Sequence, residues 1–500
     1  MSALDKIQKE RLKKRKILKE RGENPYPSSV ESTHRIEELL ENFSKLAKEK
    51  KQVKISGRLL SFRQHGGLTF GELQDGSGKI QIAFREDALG KNTYEEVSEF
   101  VDIGDFLHIE GTLFKTKRGE ETLDVANYNI IVKSIRPLPE KWHGIKDAEL
   151  RYRVRELDLL KNPDVKDVFE KRSVITRSIR EFLEENRFME VEVPVLQVTP
   201  GGASATPFKT HLNAWDLDVA LRIAPELYLK RLLVGGFDKI YEMGRNFRNE
   251  GVDYSHNPEF TMLEFYWAYA DYKEGMKFTE KLLRYIVKKT LGKEKLEYIV
   301  RTPGSEVGEG KKQIIDFSKS FKRVEFNELL QKHADINYED YNLESLLEKA
   351  KELGVKIEKK VFSKGEVADA IYKKLIQSKL IQPTFVIHHP IEMKPLAKPL
   401  DDNPAYAASV QLVVAGMELV NAYSELNDPV VQREHLEKQA ELNKKGSEEA
   451  HLLDEDFLQS LEYGMPPAFG FGMGIDRLTA LLTNSHSLRE VILFPTMRPK

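Results

Sequence analysis

At 500 residues the chain exceeds what a single hydrophobic core supports, so two or three domains are expected. The net charge of −2 excludes a global basic field for nucleic acid, and the absence of cysteine excludes disulfides and cysteine-ligated zinc. No apolar run approaches the roughly 20 residues that span a bilayer, and the charged N-terminus has no signal-peptide core, so a cytoplasmic protein without a membrane anchor is expected.

Residues 3–21 carry nine Lys or Arg against three acids and close at Gly22, followed by Asn24-Pro25. This predicts a basic helix, and residues 1–50 read as a basic N-terminal helical segment. Its sparse apolar stripe (Leu4, Ile7, Leu18) leaves it solvated or bound to something acidic. From Val53 the pattern changes to five short strands: 53–63, 67–74, 79–85, 106–114 and 122–133. DGSGK (Asp75–Lys79) predicts a hairpin, and Asn92–Val101 a short helix between the third and fourth strands. Five strands with that helix predict an OB-fold barrel over 51–135, a fold whose face binds oligonucleotides. In the third strand Ile80, Ile82 and Phe84 alternate inward. Outside, Arg63, Phe70 and Gln81 suit stacking and hydrogen bonding to unpaired bases. From this segment alone a plain small barrel with ordinary polar outer positions is the better reading.

A Pro-containing linker is expected at 136–150, and a second domain over 151–500. Val168, Ile175, Ile179 and Phe182 fall at helical spacing. Strands are expected at 189–198, 217–223, 238–248, 260–270, 384–389 and 409–425. Helices are expected at 225–234 and within 340–378. Strands paired in sequence, with helices in blocks, predict an α+β domain on a largely antiparallel sheet. Residues 300–312 read as a polar loop. Its GSEVGEGKK lacks phosphate-loop spacing, and GFGMGIDRL (Gly470–Leu478) is not a dinucleotide fingerprint.

The most informative stretch is FRNEGVDYSHNPEFTMLEFYWAYADY, Phe247–Tyr272. Residues two apart in a strand share a face. Phe260, Met262, Glu264 and Tyr266 therefore form an aromatic-lined surface with one acid. Thr261, Leu263, Phe265 and Trp267 form a core face. A buried carboxylate needs a cation, either an internal Arg or Lys or a cationic ligand. Glu226, Glu418 and Glu425 are further acids in similar settings. If Ala415-Gly416 turns a hairpin, residue 413 pairs with 418, and Gln411 lies near Glu418. With Arg248 and Arg477 these acids make a mixed site: arginines for phosphate, carboxylates for ammonium and Mg²⁺.

These residues resemble the class II lysyl-tRNA synthetases of subgroup IIb, nearly end to end. FRNEGVDYSHNPEFTMLEFYWAY resembles motif 2 of that class, and GFGMGIDRLTALLTNSHSLREVILFP motif 3. FMEVEVPVLQ, with Pro194, resembles the dimer-forming motif 1. TPGGASATPFKTH, RIAPELYLKRL and NAYSELNDP are lysine-like rather than aspartate- or asparagine-like. The resemblance implies a homodimer that ligates L-lysine to tRNA(Lys) using ATP and Mg²⁺. It also implies roles. Arg248 would clamp the lysine carboxylate and the ATP α-phosphate. Glu250 and Phe260 would hold adenine, and His256 the phosphate tail. Arg477 would bind the γ-phosphate, with Gly472 and Gly474 allowing close approach of nucleotide. Arg248 and Arg477 would be the catalytic cations. Glu418 and Gln411 would take Mg²⁺. Gly202 and Glu226 would hold the α-amino group. Glu264, Tyr266, Tyr423 and Glu425 would surround the ε-ammonium, with Asn421 near the carboxylate. Arg63, Phe70 and Gln81 would grip the anticodon.

Three positions depart from the family pattern. Gln411 replaces a magnesium-binding Glu, Arg187 a Gly, and Ala468 a Thr. Two other readings share the motifs: a lysyl-type ligase acting on a protein, and a non-catalytic RNA-binding paralogue. Protein-directed relatives usually lack the barrel, and intact Arg248, Glu250 and Arg477 argue against a paralogue.

Overall fold

The computed structural model describes residues 2–138, 148–300, 310–357, 363–445 and 451–499. Of the expected linker, 139–147 lie outside the described residues, as do 301–309 of the expected polar loop. The chain divides into two compact units, Met1–Trp142 and His143–Lys500.

The first unit is a closed five-stranded barrel of Val53–His65, Leu68–Gln74, Lys79–Arg85, Phe106–Lys115 and Glu121–Val132. Inward positions such as Val53, Ile55, Ile82, Phe84, Leu107 and Ile109 are buried. The Asp75 hairpin is closed by its own side chain, whose Oδ1 accepts from the Ser77 and Gly78 amides at 2.7 and 2.9 Å. Gly111 is required by packing, because a Cβ there would lie 1.9 Å from the Asp124 carbonyl oxygen. The helix Lys91–Phe100 sits between the third and fourth strands.

The basic helix Ala3–Glu20 starts with a Ser2/Asp5 capping box and ends before Gly22, at φ +82°. Its acidic partner is partly internal. Lys14 Nζ meets Asp102 Oδ1 at 3.0 Å, and Arg21 meets Glu96 at 2.9 Å. Arg11 donates to the carbonyls of Ile103 and Ser134. Lys6, Lys9, Lys13 and Lys16 stay exposed. Leu18, with Ile36, Leu39, Phe43 and Leu46 from two further helices, joins the barrel's core.

The second unit is built on an eight-stranded sheet. Its order is Lys322–Glu325, Thr384–Ile387, Ser409–Val414, Met417–Ser424, Ala468–Gly474, Glu259–Ala268, Lys239–Phe247 and Met189–Glu190. The two outer pairings are parallel and the rest antiparallel. Helices Pro163–Glu185, Tyr272–Leu291 and Ile475–Leu482 cover one face, packing Ile175, Ile179, Leu282 and Leu478 against Leu263, Phe265, Phe471 and Val420. That apolar layer leaves the opposite face of the sheet for chemistry. A satellite core gathers helices Phe326–Ala334, Leu343–Glu352 and Lys364–Leu375.

Two expectations need correction. The single strand expected at 189–198 is two short ones, Met189–Glu190 and Leu196–Gln197, in different sheets. Pro194 between them has no N–H to continue a ladder. The helix expected over 225–234 begins one residue later, with Pro225 as its N-cap and Glu226 opening it. The strands Lys295–Val300, Lys311–Asp316 and Lys322–Glu325 were not anticipated from sequence.

Candidate active site

Strand register assembles the site floor. Gln411 pairs with Asn421, Asn421 with Gly472, Gly472 with Glu264, and Glu264 with Glu242, forming one row across five strands. The next row runs Ser409, Tyr423, Gly470, Tyr266 and Ile240. Paired residues share a face, so these side chains rise on the side away from the helical layer. The hairpin at Ala415-Gly416 pairs Val413 with Glu418, as the sequence predicted, with a bulge at Leu412/Val413.

Three carboxylates converge at one end. Glu264 is 4% exposed and makes no ion pair among the described residues. Its Oε2 accepts from the Tyr266 hydroxyl at 3.3 Å. Burial, then nearby Glu226, pushes its carboxyl well above the ordinary range, against the weaker pull of Tyr266, Arg248 and Arg222. Glu226 opens the helix Glu226–Val234 and accepts from the Tyr423 hydroxyl at 2.6 Å. Gly202, at φ +88°, lies against it, and a Cβ there would be 2.7 Å from Glu226 Cβ. Glu425 is 1% exposed and pairs with Lys230, Nζ to Oε2 2.5 Å. Lys230 also meets Glu226 Oε1 at 2.7 Å. One cation thus serves two acids. Burial pushes the Glu425 carboxyl up to about 8; Lys230 opposes the rise without winning, and Glu226 adds to it.

The other end is cationic. Arg248 lies over Phe260, its Cζ 5.1 Å from the ring centroid, and its Nε is buried without a hydrogen-bond partner. Burial lowers its pKa, while Glu250, Glu264 and Glu418 oppose that and Arg477 adds to it. These four groups therefore stand within its field. Glu250 and His256 are exposed in the loop between the Lys239–Phe247 and Glu259–Ala268 strands, and His256 Nδ1 meets Asp253 Oδ2 at 3.0 Å. Arg477, in the first turn of the helix capped by Gly474, donates to the Glu418 carbonyl at 3.1 Å. Burial raises the Glu418 carboxyl, but Arg477, Lys394 and Lys373 outweigh it and hold it below its ordinary value.

Among the described residues no three His, Asp or Glu gather as a protein-only metal cage. Glu418 does offer an ionised carboxylate, and Gln411 Oε1 is buried without a hydrogen-bond partner. Those donor types fit one Mg²⁺ shared with phosphate oxygens.

On the barrel, Arg63 pairs with Phe70 and Glu72 with Gln81, so Arg63, Phe70 and Gln81 share one outer face. Arg63 is exposed, Phe70 and Gln81 half-buried, and Gln81 donates to Thr122 Oγ1 at 2.8 Å.

Sequence reasoning missed Lys230 and Lys394. Lys230 had a signal, since it stands four residues after Glu226 on one helix. Lys394, whose Nζ donates to Asn421 Oδ1 at 2.7 Å, lies in an irregular segment with no periodicity to mark it.

Comparison with known proteins accords with this architecture. A family described as tRNA synthetases class II (D, K and N) matches residues 147–498, and one described as OB-fold nucleic acid binding domain matches 53–138. The chain is 46% identical over 499 residues to the lysine–tRNA ligase of Pelotomaculum thermopropionicum, covering 99% of this chain and 96% of the relative. It is 47% identical over 498 residues to that of Carboxydothermus hydrogenoformans, covering 99% of both. With the Clostridium tetani enzyme it shares 45% over 486 residues, 96% of this chain and 94% of the relative. With both of its units matched and its full length aligned, the chain belongs to the lysine–tRNA ligases of the class II aminoacyl-tRNA synthetases.

Proposed function

We propose that the protein attaches L-lysine to tRNA(Lys) in two steps, through lysyl-adenylate. The observation that carries the reading is charge. Glu226, Glu264 and Glu425 share a desolvated pocket with one cation in contact among the described residues, Lys230. With all three acids ionised that leaves two negative charges, and lysine brings two ammonium groups. Glu226 and Gly202 would take the α-amino group. Glu264, with Tyr266, Tyr423 and the Lys230-bound Glu425, would take the ε-ammonium. Asn421 and Arg248 would hold the carboxylate.

In the first step a lysine carboxylate oxygen attacks the α-phosphorus of ATP. The bond to the bridging oxygen breaks, and pyrophosphate leaves. In the second the terminal 3′ hydroxyl of tRNA attacks the lysyl carbonyl and AMP departs. No side chain needs to act as nucleophile. Arg248 would align carboxylate and α-phosphate, and Arg477 would hold the γ-phosphate. Phe260, Glu250 and His256 would position the nucleotide, with Gly472 and Gly474 leaving room for it. Mg²⁺, held by Glu418, Gln411 and phosphate oxygens, would offset phosphate charge.

The domain from 51 to 135 would read the anticodon through Arg63, Phe70 and Gln81. The exposed Met189, Val195, Leu196 and Val198 around Pro194 suit a homodimer interface. The reaction belongs in the cytoplasm, beside its tRNA; no described helix is long and apolar enough to cross a membrane.

Lysine-dependent ATP–pyrophosphate exchange, with and without tRNA, tests the proposal. Exchange with lysine and charging of tRNA(Lys) are expected. Absence of exchange overturns it, and exchange without tRNA charging would favour a protein acceptor.

A further inference from the structure

We propose that Lys394 is a third cation of the adenylation site and contacts the carboxylate of the bound amino acid. The proposal rests on the lysine–tRNA ligase reading of this pocket.

Lys394 follows the short turn Ile391–Met393. Its segment is held firmly. Lys394 N donates to Ile391 O at 2.9 Å, and Ala397 N to Lys394 O at 3.0 Å. A bridge then joins Ala397 to Glu425. The backbone thereby fixes the side chain over the strand Met417–Ser424, where its Nζ donates to Asn421 Oδ1.

What sets Lys394 apart is that no anion among the described residues pairs with it. The buried Lys133 meets Asp102 and Asp105, and the buried Lys230 meets Glu226 and Glu425. Lys394 makes no ion pair among the described residues, and its one side-chain hydrogen bond there is to a neutral amide. An ammonium has three protons to donate, and the half-buried Lys394 uses one of them on Asn421. Burial lowers its pKa; Glu418 and then Asp369 oppose that, Lys373 adds to it, and Glu226 is a smaller opposing influence. Asn421 stands in the floor row, two strands from Glu264. An amino acid with its ammonium groups at Glu226 and Glu264 leaves its carboxylate on the Asn421 side. Among the described residues Glu264 is an acid without an ion pair and Lys394 a cation without one. A zwitterionic substrate supplies both partners.

The plainer role is that Lys394 merely props Asn421. Lysinol, in which the carboxylate is replaced by a hydroxymethyl group, shows whether the loss falls on the carboxylate, and an Asn421→Ala background, in which there is no amide left to prop, separates the two. Titration calorimetry would compare lysine and lysinol on the full-length parent, Lys394→Met and Lys394→Gln, with melting temperatures confirming folded protein. Loss of a charge-assisted hydrogen bond should weaken lysine binding about 10- to 100-fold in both variants. Lysinol binding should change less than about twofold. In the Asn421→Ala background Lys394→Met should weaken lysine binding further; no further loss there would mean propping and overturn the proposal, as would equal weakening of both ligands. So would unchanged lysine affinity, or a parent that binds lysine no better than lysinol. Pyrophosphate exchange by the parent is a separate readout: its absence sinks the ligase reading itself, whatever the variants do.

Discussion

Lys230 and Glu425, 195 positions apart, form an ion pair at 2.5 Å with both side chains at 0% exposure. Removing Lys230 strips Glu425 and Glu226 of the ammonium they share, so each must stay ionised without that cation or take up a proton. Lys230→Met should therefore destabilise the second unit by about 3–5 kcal/mol. The Lys230→Met/Glu425→Gln double variant should recover part of that loss. Denaturant titrations of parent, single and double variants would measure it. A single variant as stable as the parent would contradict the shared-cation account.

Glu264→Gln keeps shape and removes charge. Stripping one partner from a desolvated ammonium costs about 2–5 kcal/mol in lysine activation. ATP affinity should barely move, since Glu264 belongs to the lysine end. The empty variant should also melt higher than the parent at neutral pH, because burial of this carboxyl is unfavourable to its charged form. Steady-state pyrophosphate exchange and a thermal melt provide the two readouts. Normal lysine activation in the variant would remove Glu264 from the specificity site.

The pH dependence has a defined sign. Glu425 is raised from 4.5 to about 8 in the empty pocket, and Glu264 is raised in the same direction. A carboxyl with a raised folded pKa contributes stability that is fully present below its ordinary pKa. That contribution is lost as pH rises through the folded value. The empty protein should therefore lose stability as pH climbs through about 8. Bound ammonium groups offset the newly formed charge. The melting-temperature gain from saturating lysine should thus grow between about pH 6 and 9, and lysine binding near neutrality should release protons. Calorimetry in buffers of different ionisation enthalpy would detect them; a proton-neutral binding event would count against these assignments.

Gly470 stands where the Glu425 carboxylate needs space. A Cβ there would lie 1.7 Å from Glu425 Oε1 and 2.8 Å from Tyr266 Cε1. Gly470→Ala should raise KM for lysine sharply, leave KM for ATP near the parent's, and cost about 1–3 kcal/mol of stability through overpacking. A lysine KM within about twofold of the parent would show that the pocket relaxes.

Gln411→Glu adds a negative charge beside Glu418, where Arg477, Lys394 and Lys373 already gather. Mg²⁺ prefers charged oxygen ligands, so the variant should reach half-maximal exchange at lower Mg²⁺ than the parent. Superimposable Mg²⁺ titrations would show that phosphate oxygens and Glu418 suffice.

Much of the fold is encoded locally and was legible. Alternation marks the inward Ile80, Ile82 and Phe84, and the Ala415-Gly416 turn sets the pairing of Val413 with Glu418. Glu264 could be assigned to the pocket face, because strand parity needs only its neighbours two residues away. Partnership was not legible. The sequence presented Glu264 and Glu425 as equivalent acids in one pocket. The tertiary structure gives Glu425 a resident cation and, among the described residues, pairs none with Glu264. That difference depends on where a helix from residue 226 lands relative to a strand ending near 424, and no local pattern carries it. Lys394 is the same case, since an irregular segment has no period, and only its anchoring over Asn421 brings the ammonium into the site. Residues two to four positions apart fix periodicity, whereas charge pairing in a desolvated pocket follows the register of strands hundreds of residues apart.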